Sequence, residues 1–223
     1  MKIYLATNNE HKRQELSQIL KGYTILIPND FKLNFNPVEN GKSFFENALI
    51  KARALYDIVK SPTLADDSGL CVDILDGKPG IHSSRYAGIN FPHGKEDVSL
   101  SAKEKNLLLI EHINTTLKSS ETTDTNNTRS ARFVCCLVLY LGCERFFSVQ
   151  ESLEGKIVQS FSEARGSNGF GYDPIFFLSE YNKTLAELSE EEKNKISHRG
   201  KATRAFQKLL QDEGLNASTF ALH

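Results

Sequence analysis

An α/β fold built on a mixed β-sheet is predicted from three features of this 223-residue chain. The first half alternates short apolar runs with helical patterns, as strands joined by helices require. The second half sets a long apolar run and a partner run on either side of a glycine turn, which reads as an antiparallel hairpin. Composition is that of a globular protein, with 39% hydrophobic and 25% charged residues.

The first strand is read at residues 2–6, Lys-Ile-Tyr-Leu-Ala. A polar loop and helix start follow, Thr7-Asn8-Asn9-Glu10-His11-Lys12, and the helix carries Leu16, Ile19 and Leu20 on one face before Gly22 ends it. Strand, polar loop and helix start form a setting in which backbone N–H groups bind an anion. Thr7 and Asn9 can add donors and Lys12 a point charge, although an Asn-rich turn that caps the helix explains the same residues. The glycines of a Walker A loop are absent.

Residues 23–27 read as a second strand, and a polar loop with Pro37, Glu39 and Gly41 leads into a helix from Ser43 to Lys60. Phe45, Ala48, Leu49, Ala52, Leu55, Tyr56 and Val59 recur at helical spacing. Ser43 and Glu46 make a capping box; Glu46 is equally placed to serve as a metal ligand if it faces the acidic stretch that follows. Lys51, five residues beyond, shares the Glu46 face only in part.

That stretch, Ala65-Asp66-Asp67-Ser68-Gly69-Leu70, reads as strand, acidic turn and strand, with Gly69 relieving the backbone and the second strand running to Leu75. Neighbours on an extended chain point to opposite faces, so Asp66 and Asp67 cannot both meet one ligand without a kink. One is expected to hold the backbone or a supporting side chain. The other is left for a hard cation such as Mg²⁺ or Mn²⁺.

A Gly/Pro-punctuated loop spans 76–88, with Arg85 in it, and an amphipathic helix covers 99–113. Residues 114–130 are almost devoid of apolar groups and read as a surface loop. Residues 131–141 are the strongest strand, 145–151 its partner, and Ile157-Val158 a further short strand. In Gly166-Ser167-Asn168-Gly169-Phe170-Gly171-Tyr172-Asp173, glycines allow close backbone approach, and Phe170 and Tyr172 offer rings for a base or for packing. An acidic helix at 184–196 contains Lys193, and Ser197-His198-Arg199-Gly200 opens the last helix, to Gln211. Cations at a helix start oppose the macrodipole, a local conflict that points to a ligand there.

The formal net charge of -1 argues against a nucleic-acid surface. Cys71, Cys135, Cys136 and Cys143 form no CxxC pair and read as buried reduced thiols in a cytoplasmic setting. No signal peptide is read, and no apolar run is long enough for a bilayer.

Six motifs occur in order: Thr-x-Asn-x-x-Lys, Phe-x-Glu-Asn-Ala, Ala-Asp-Asp-Ser-Gly-Leu, Pro-Gly-Ile-x-Ser-x-Arg-Tyr, Gly-Phe-Gly-Tyr-Asp-Pro and Ser-His-Arg-Gly. Together they resemble the inosine/xanthosine triphosphate pyrophosphatase family from residue 2 to about 210. The resemblance implies one domain over 1–223, of two lobes around a long mixed sheet with the active site in the cleft, and a homodimer. It implies hydrolysis of ITP, dITP and XTP between the α- and β-phosphates, with Mg²⁺ as cofactor and Mn²⁺ as the alternative.

By the same resemblance, Thr7, Asn8, Asn9 and Lys12 hold the triphosphate, Glu10, His11 and Lys51 count among the substrate-binding residues, Asp67 is catalytic base and metal ligand, and Ser68 contacts substrate. Phe170, Gly171, Tyr172 and Asp173 line the nucleoside site, and Lys193, His198 and Arg199 complete it around the base. The second metal ligand stays open between Glu39 and Glu46. Asn8 stands where the family often has Gly, a substitution that a positive φ would tolerate.

Overall fold

Seven strands form one mixed sheet in the order β2-β1-β3-β4-β5-β6-β7 in a computed structural model that describes residues 2–88, 100–119 and 129–213. The strands are β1 (Lys2–Leu5), β2 (Thr24–Leu26), β3 (Thr63–Val72), β4 (Ser130–Gly142), β5 (Arg145–Ile157), β6 (Phe176–Leu178) and β7 (Lys183–Thr184). The helices are α1 (Glu10–Ile19), α2 (Phe44–Val59), α3 (Ala102–Ser119), α4 (Glu190–Ile196) and α5 (His198–Asp212). Strands β1, β2 and β3 pair in parallel, and β6 pairs antiparallel with both β5 and β7, as the α/β reading with a mixed sheet requires. No helix among the described residues is long and apolar enough to cross a membrane.

The chain divides into two units, the first made of 1–68, 135–152 and 194–223, the second of 69–134 and 153–193. In the first unit, strand parity sorts the core. Ile3, Leu5, Leu64, Cys135, Leu137 and Leu139 pack with Leu16 and Leu20 at α1 and with Ala202, Phe206 and Leu210 of α5. The alternate positions, Ala6, Ala65, Cys136, Val138 and Tyr140, pack with Ala48, Ala52 and Leu55 of α2. Strands β1, β3 and β4 thus show one apolar set to each helical layer, the period-2 pattern of a strand buried on both faces. In the second unit, Leu109, Ile110 and Ile113 are the buried face of α3, and the rings of Phe133 and Phe176 lie 4.7 Å apart.

Four elements differ from the sequence reading. The acidic stretch is the middle of one continuous strand, β3, rather than a turn, and Gly69 lies outside the left-handed region. Both carboxylates can be buried in a strand because each finds cations on its own face, as the site below shows. Downstream, β3 stops at Val72, and Asp73–Leu75 is a short 3₁₀ turn. The run 145–151 and Ile157 belong to a single strand, β5, which ends before Val158 and in which Gly155 makes room for a ring: a Cβ there would stand 2.5 Å from Phe176. Helix α3 continues through 114–119, where Thr116 and Ser119 bond their hydroxyls back to the preceding turn; residues 120–128 of the expected loop lie outside the described residues. The acidic segment is a 3₁₀ turn, Leu185–Glu187, followed by the short α4.

The cysteines divide three to one. Cys71, Cys135 and Cys136 are buried, but Cys143 is exposed, because it sits with Glu144 in a tight turn between β4 and β5 in which both residues have positive φ. Burial pushes the Cys71 thiol up, and pushes Cys136 to about 12, with Asp66 and Asp67 adding to the effect. A raised pKa means less thiolate at a given pH, and thiolate is the reactive form. Iodoacetamide at pH 8 is therefore expected to label Cys143 at least about tenfold faster than the other three in the native protein. Peptide mass spectrometry reads this directly, and rapid native labelling of Cys135 or Cys136 would contradict the burial described.

Candidate active site

The chemistry of the first unit is organised by the parity of β3. Asp66 shares the side of Leu64, toward α1 and α5; Asp67 shares the side of Ala65, toward α2. Asp66 is fully buried, and its carboxylate accepts four hydrogen bonds. Lys12 Nζ and Ser68 Oγ (3.1 Å) donate to Oδ1, and Arg199 Nε (2.7 Å) and Cys135 Sγ (3.2 Å) to Oδ2. Burial alone would raise the Asp66 carboxyl, but Arg199 and then Lys12 outweigh it and hold the group well below the usual carboxylate range. Arg199, 2% exposed, also pairs with Glu15 and donates to Ser68 Oγ at 2.8 Å. The cation that looked misplaced at the start of α5 is thus held by two carboxylates.

Asp67 occupies the other face with different company. Lys51 Nζ lies 2.6 Å from Oδ1 and 3.3 Å from Glu39 Oε1, so one ammonium joins the two carboxylates. Burial works against the Lys51 charge, yet Asp67 and then Glu39 more than offset it and raise its pKa. For Asp67 the balance is reversed: burial pushes the carboxyl up by more than Lys51 pulls it down. Asp67 Oδ2 is buried and has no hydrogen-bond partner among the described residues.

The loop after β1 is set by its own side chains. Asn9 caps α1, accepting from the backbone N–H of His11 at 3.0 Å and of Lys12 at 3.3 Å, and its own N–H donates to Thr7 Oγ1. Asn8 does not adopt a positive φ; its Nδ2 donates to the carbonyl of Phe35 at 2.9 Å. Glu10 pairs with Arg13, and the His11 side chain is exposed. Glu46 is exposed and accepts from the Lys42 N–H, and Ser43 Oγ accepts from the Glu46 N–H. Ser43 thus caps the helix as expected, but Glu46 reaches the N–H one residue before the cap rather than that of Ser43, and the reciprocal half of the capping box does not form. Of the two carboxylates left open as second metal ligand, Glu39 stands beside the Lys51–Asp67 pair and Glu46 serves the helix start.

In the second unit, Asp173 Oδ2 accepts from the Phe170 N–H at 2.9 Å and from Lys193 Nζ at 2.7 Å. The Lys193 ammonium also lies 5.2 Å from the centre of the Phe170 ring. Gly169, at φ +82, admits no side chain, since a Cβ would stand 2.1 Å from Asp173 Oδ2. Tyr172 is buried and donates to the carbonyl of Ser83 at 2.9 Å, and Gly171 has φ +65.

Thr7, Asn8, Asn9, Lys12, Glu39, Lys51, Asp67, Ser68, His198 and Arg199 therefore all belong to the first unit, and Phe170, Gly171, Tyr172, Asp173 and Lys193 to the second. Two contributors escaped the sequence reading. Glu15 follows Lys12 by three residues, the spacing of one helix face, which was the signal available. Cys135 had no local signal, because it reads as one more apolar strand residue.

Asp67 and Glu39 are a donor set suited to a hard cation: two carboxylates, one with an oxygen that has no partner among the described residues. No group of three His, Cys, Asp or Glu side chains able to hold a metal occurs among the described residues. Two carboxylates fit an ion that takes its other ligands from phosphate and water, as Mg²⁺ does.

The sequence pattern of the Ham1 family matches residues 3–209. The chain is 49% identical over 211 residues to the dITP/XTP pyrophosphatase of Treponema denticola, covering 95% of this chain and 99% of that one. It is 44% identical over 213 residues to the dITP/XTP pyrophosphatase of Aquifex aeolicus, covering 95% and 98%. Among solved structures, a HAM1 protein from Coxiella burnetii matches with a TM-score of 0.80 at 34% identity over 95% of this chain and 99% of that one. The Staphylococcus aureus Ham1 protein matches at 0.75 and 33% over 96% and 100%.

Proposed function

This chain belongs to the Ham1 family, and from that premise we propose that it hydrolyses the noncanonical purine nucleoside triphosphates ITP, dITP and XTP. The products are the nucleoside monophosphate and diphosphate, and the activity clears these nucleotides from the pool. The observation that carries the reading is the division of labour between adjacent carboxylates. Asp66 is saturated by donors, whereas Asp67 keeps one oxygen without a partner among the described residues.

Opening a phosphoanhydride calls for charge neutralisation and an aligned water more than for covalent steps. Lys12 and the backbone N–H groups at the start of α1 are assigned to the phosphates. Ser68, which is held by Asp66 and Arg199, is assigned to substrate contact. Asp67 orients the attacking water and takes its proton at Oδ2. Asp67 and Glu39 are assigned to a divalent cation, Mg²⁺ before Mn²⁺. When bound, it neutralises charge on the phosphate oxygens.

In the second unit, Phe170, Gly171, Tyr172 and Asp173 are assigned to the nucleoside, with Lys193 at the base. A charged lysine only donates, so it suits the 6-oxygen of hypoxanthine and xanthine and leaves the 6-amino group of adenine facing a like group. His198, in the first unit, is kept as a proposed substrate-binding residue. A homodimer in a cytoplasmic setting is proposed from family membership alone.

Diphosphate release from a panel of nucleoside triphosphates with Mg²⁺ tests the reading. ITP, dITP and XTP are expected to turn over at least about a hundredfold more efficiently than ATP. Equal turnover of ATP and ITP would remove the base-reading assignment, and no diphosphate from any of them would remove the activity.

A further inference from the structure

We propose that Cys135 is a positioning residue for the phosphate site: its thiol fixes the Asp66 carboxylate, and through it the Lys12 ammonium. This rests on the activity assigned above and adds a residue to its machinery. A carboxylate offers about four lone-pair sites, and Asp66 has four donors, two on each oxygen. Lys12, Ser68 and Arg199 each have an evident electrostatic or substrate-facing role. Cys135 is the fourth donor and the one that comes from a neighbouring strand, β4, rather than from β3 or the helices α1 and α5. It is fully buried, on the α1/α5 side of the sheet, among Leu5, Leu64 and Leu137.

Its position has a directional consequence. Arg199 and Cys135 together hold Oδ2, which sets the rotation of the carboxylate about its Cβ–Cγ bond. That rotation decides where Oδ1 points, and Oδ1 is what holds Lys12 and Ser68. Without the thiol, Oδ2 keeps Arg199 Nε as its one donor among the described residues, so the rotation that aims Oδ1 at Lys12 is held less tightly. The opposite face of β3 provides an internal control. Among the described residues, Lys51 is bonded to Asp67 and Glu39 and not to Asp66 or Cys135.

The test compares Cys135→Ala, which removes the donor, with Cys135→Ser, which keeps one. Acetic anhydride labelling read by peptide mass spectrometry reports the accessibility of Lys12 and Lys51 separately. In Cys135→Ala, Lys12 labelling is expected to rise about fivefold while Lys51 stays at the wild-type level, and in Cys135→Ser both stay there. In parallel, Cys135→Ala is expected to lower kcat/KM for ITP about tenfold, mainly by raising KM, with Cys135→Ser within about twofold of wild type. The proposal is overturned if Lys12 labelling is unchanged in Cys135→Ala, if Lys51 rises in step with Lys12, or if the serine variant behaves like alanine. General loosening of the core would produce the second of these. A wild-type protein inactive on ITP would sink the assigned activity, while the labelling ratio would still decide the role of Cys135.

Discussion

Asp67→Asn is expected to abolish turnover of ITP while leaving the protein folded. A general base contributes about 10²–10⁴-fold to rate, and here the same carboxylate is assigned to the cation, so a loss of at least about 10³-fold is expected. The fold should survive because Asp67 is a costly residue where it stands. Burial raises its carboxyl by more than Lys51 lowers it, so a neutral amide of the same shape removes a desolvation penalty along with an ion pair. Lys51 keeps Glu39, 3.3 Å away, as a partner. Steady-state diphosphate release and thermal unfolding of the same preparation check both halves. Residual activity above about a tenth of wild type would take the base role from Asp67. A collapse in Tm would mean the residue supports the scaffold, and the activity loss would then say nothing about chemistry.

The same strand shows what was legible in the sequence and what was not. Period-2 geometry alone required Asp66 and Asp67 to face apart, and that is how they lie. What the residues could not say is that the strand continues straight through them. The local pattern of two acids and Gly69 between apolar runs reads as a turn, whereas the strand is held by cations from residues 12, 51 and 199, far apart in sequence. The capping roles of Ser43 and Asn9 were local and therefore readable. The extension of α3 through Thr115 and Thr116 was not, because helix propensity is weak there and tertiary packing of Ile113 carries the segment. Cys135 was invisible for the complementary reason. Its neighbours in sequence are apolar, and its function depends on a carboxylate one strand away.

Asp66→Asn is the substitution expected to cost the most stability. Breaking a buried ion pair by neutralising one member costs about 3–5 kcal/mol, since the remaining charge stays buried without full compensation. Here two cations, Lys12 and Arg199, lose their common partner, and Arg199 is 2% exposed with Glu15 as its other carboxylate. The pH dependence gives a sharper check than the magnitude. Asp66 titrates well below the ordinary range in the folded protein because Arg199 and Lys12 overcome the cost of burial, and near 3.9 when unfolded, by the usual value for aspartate. A depressed folded pKa means the unfolded chain takes up the proton first as pH falls. The stabilisation from Asp66 is therefore complete above about pH 5 and declines as the pH drops below about 4 toward the folded value. Urea unfolding of wild type and Asp66→Asn should give a constant difference from pH 6 to 8 that narrows by pH 3. A gap that persists undiminished at pH 3 would mean that the charge of Asp66 is not what holds Lys12 and Arg199 in place, and the hydrogen-bond geometry around Oδ1 and Oδ2 would have to carry the stability instead.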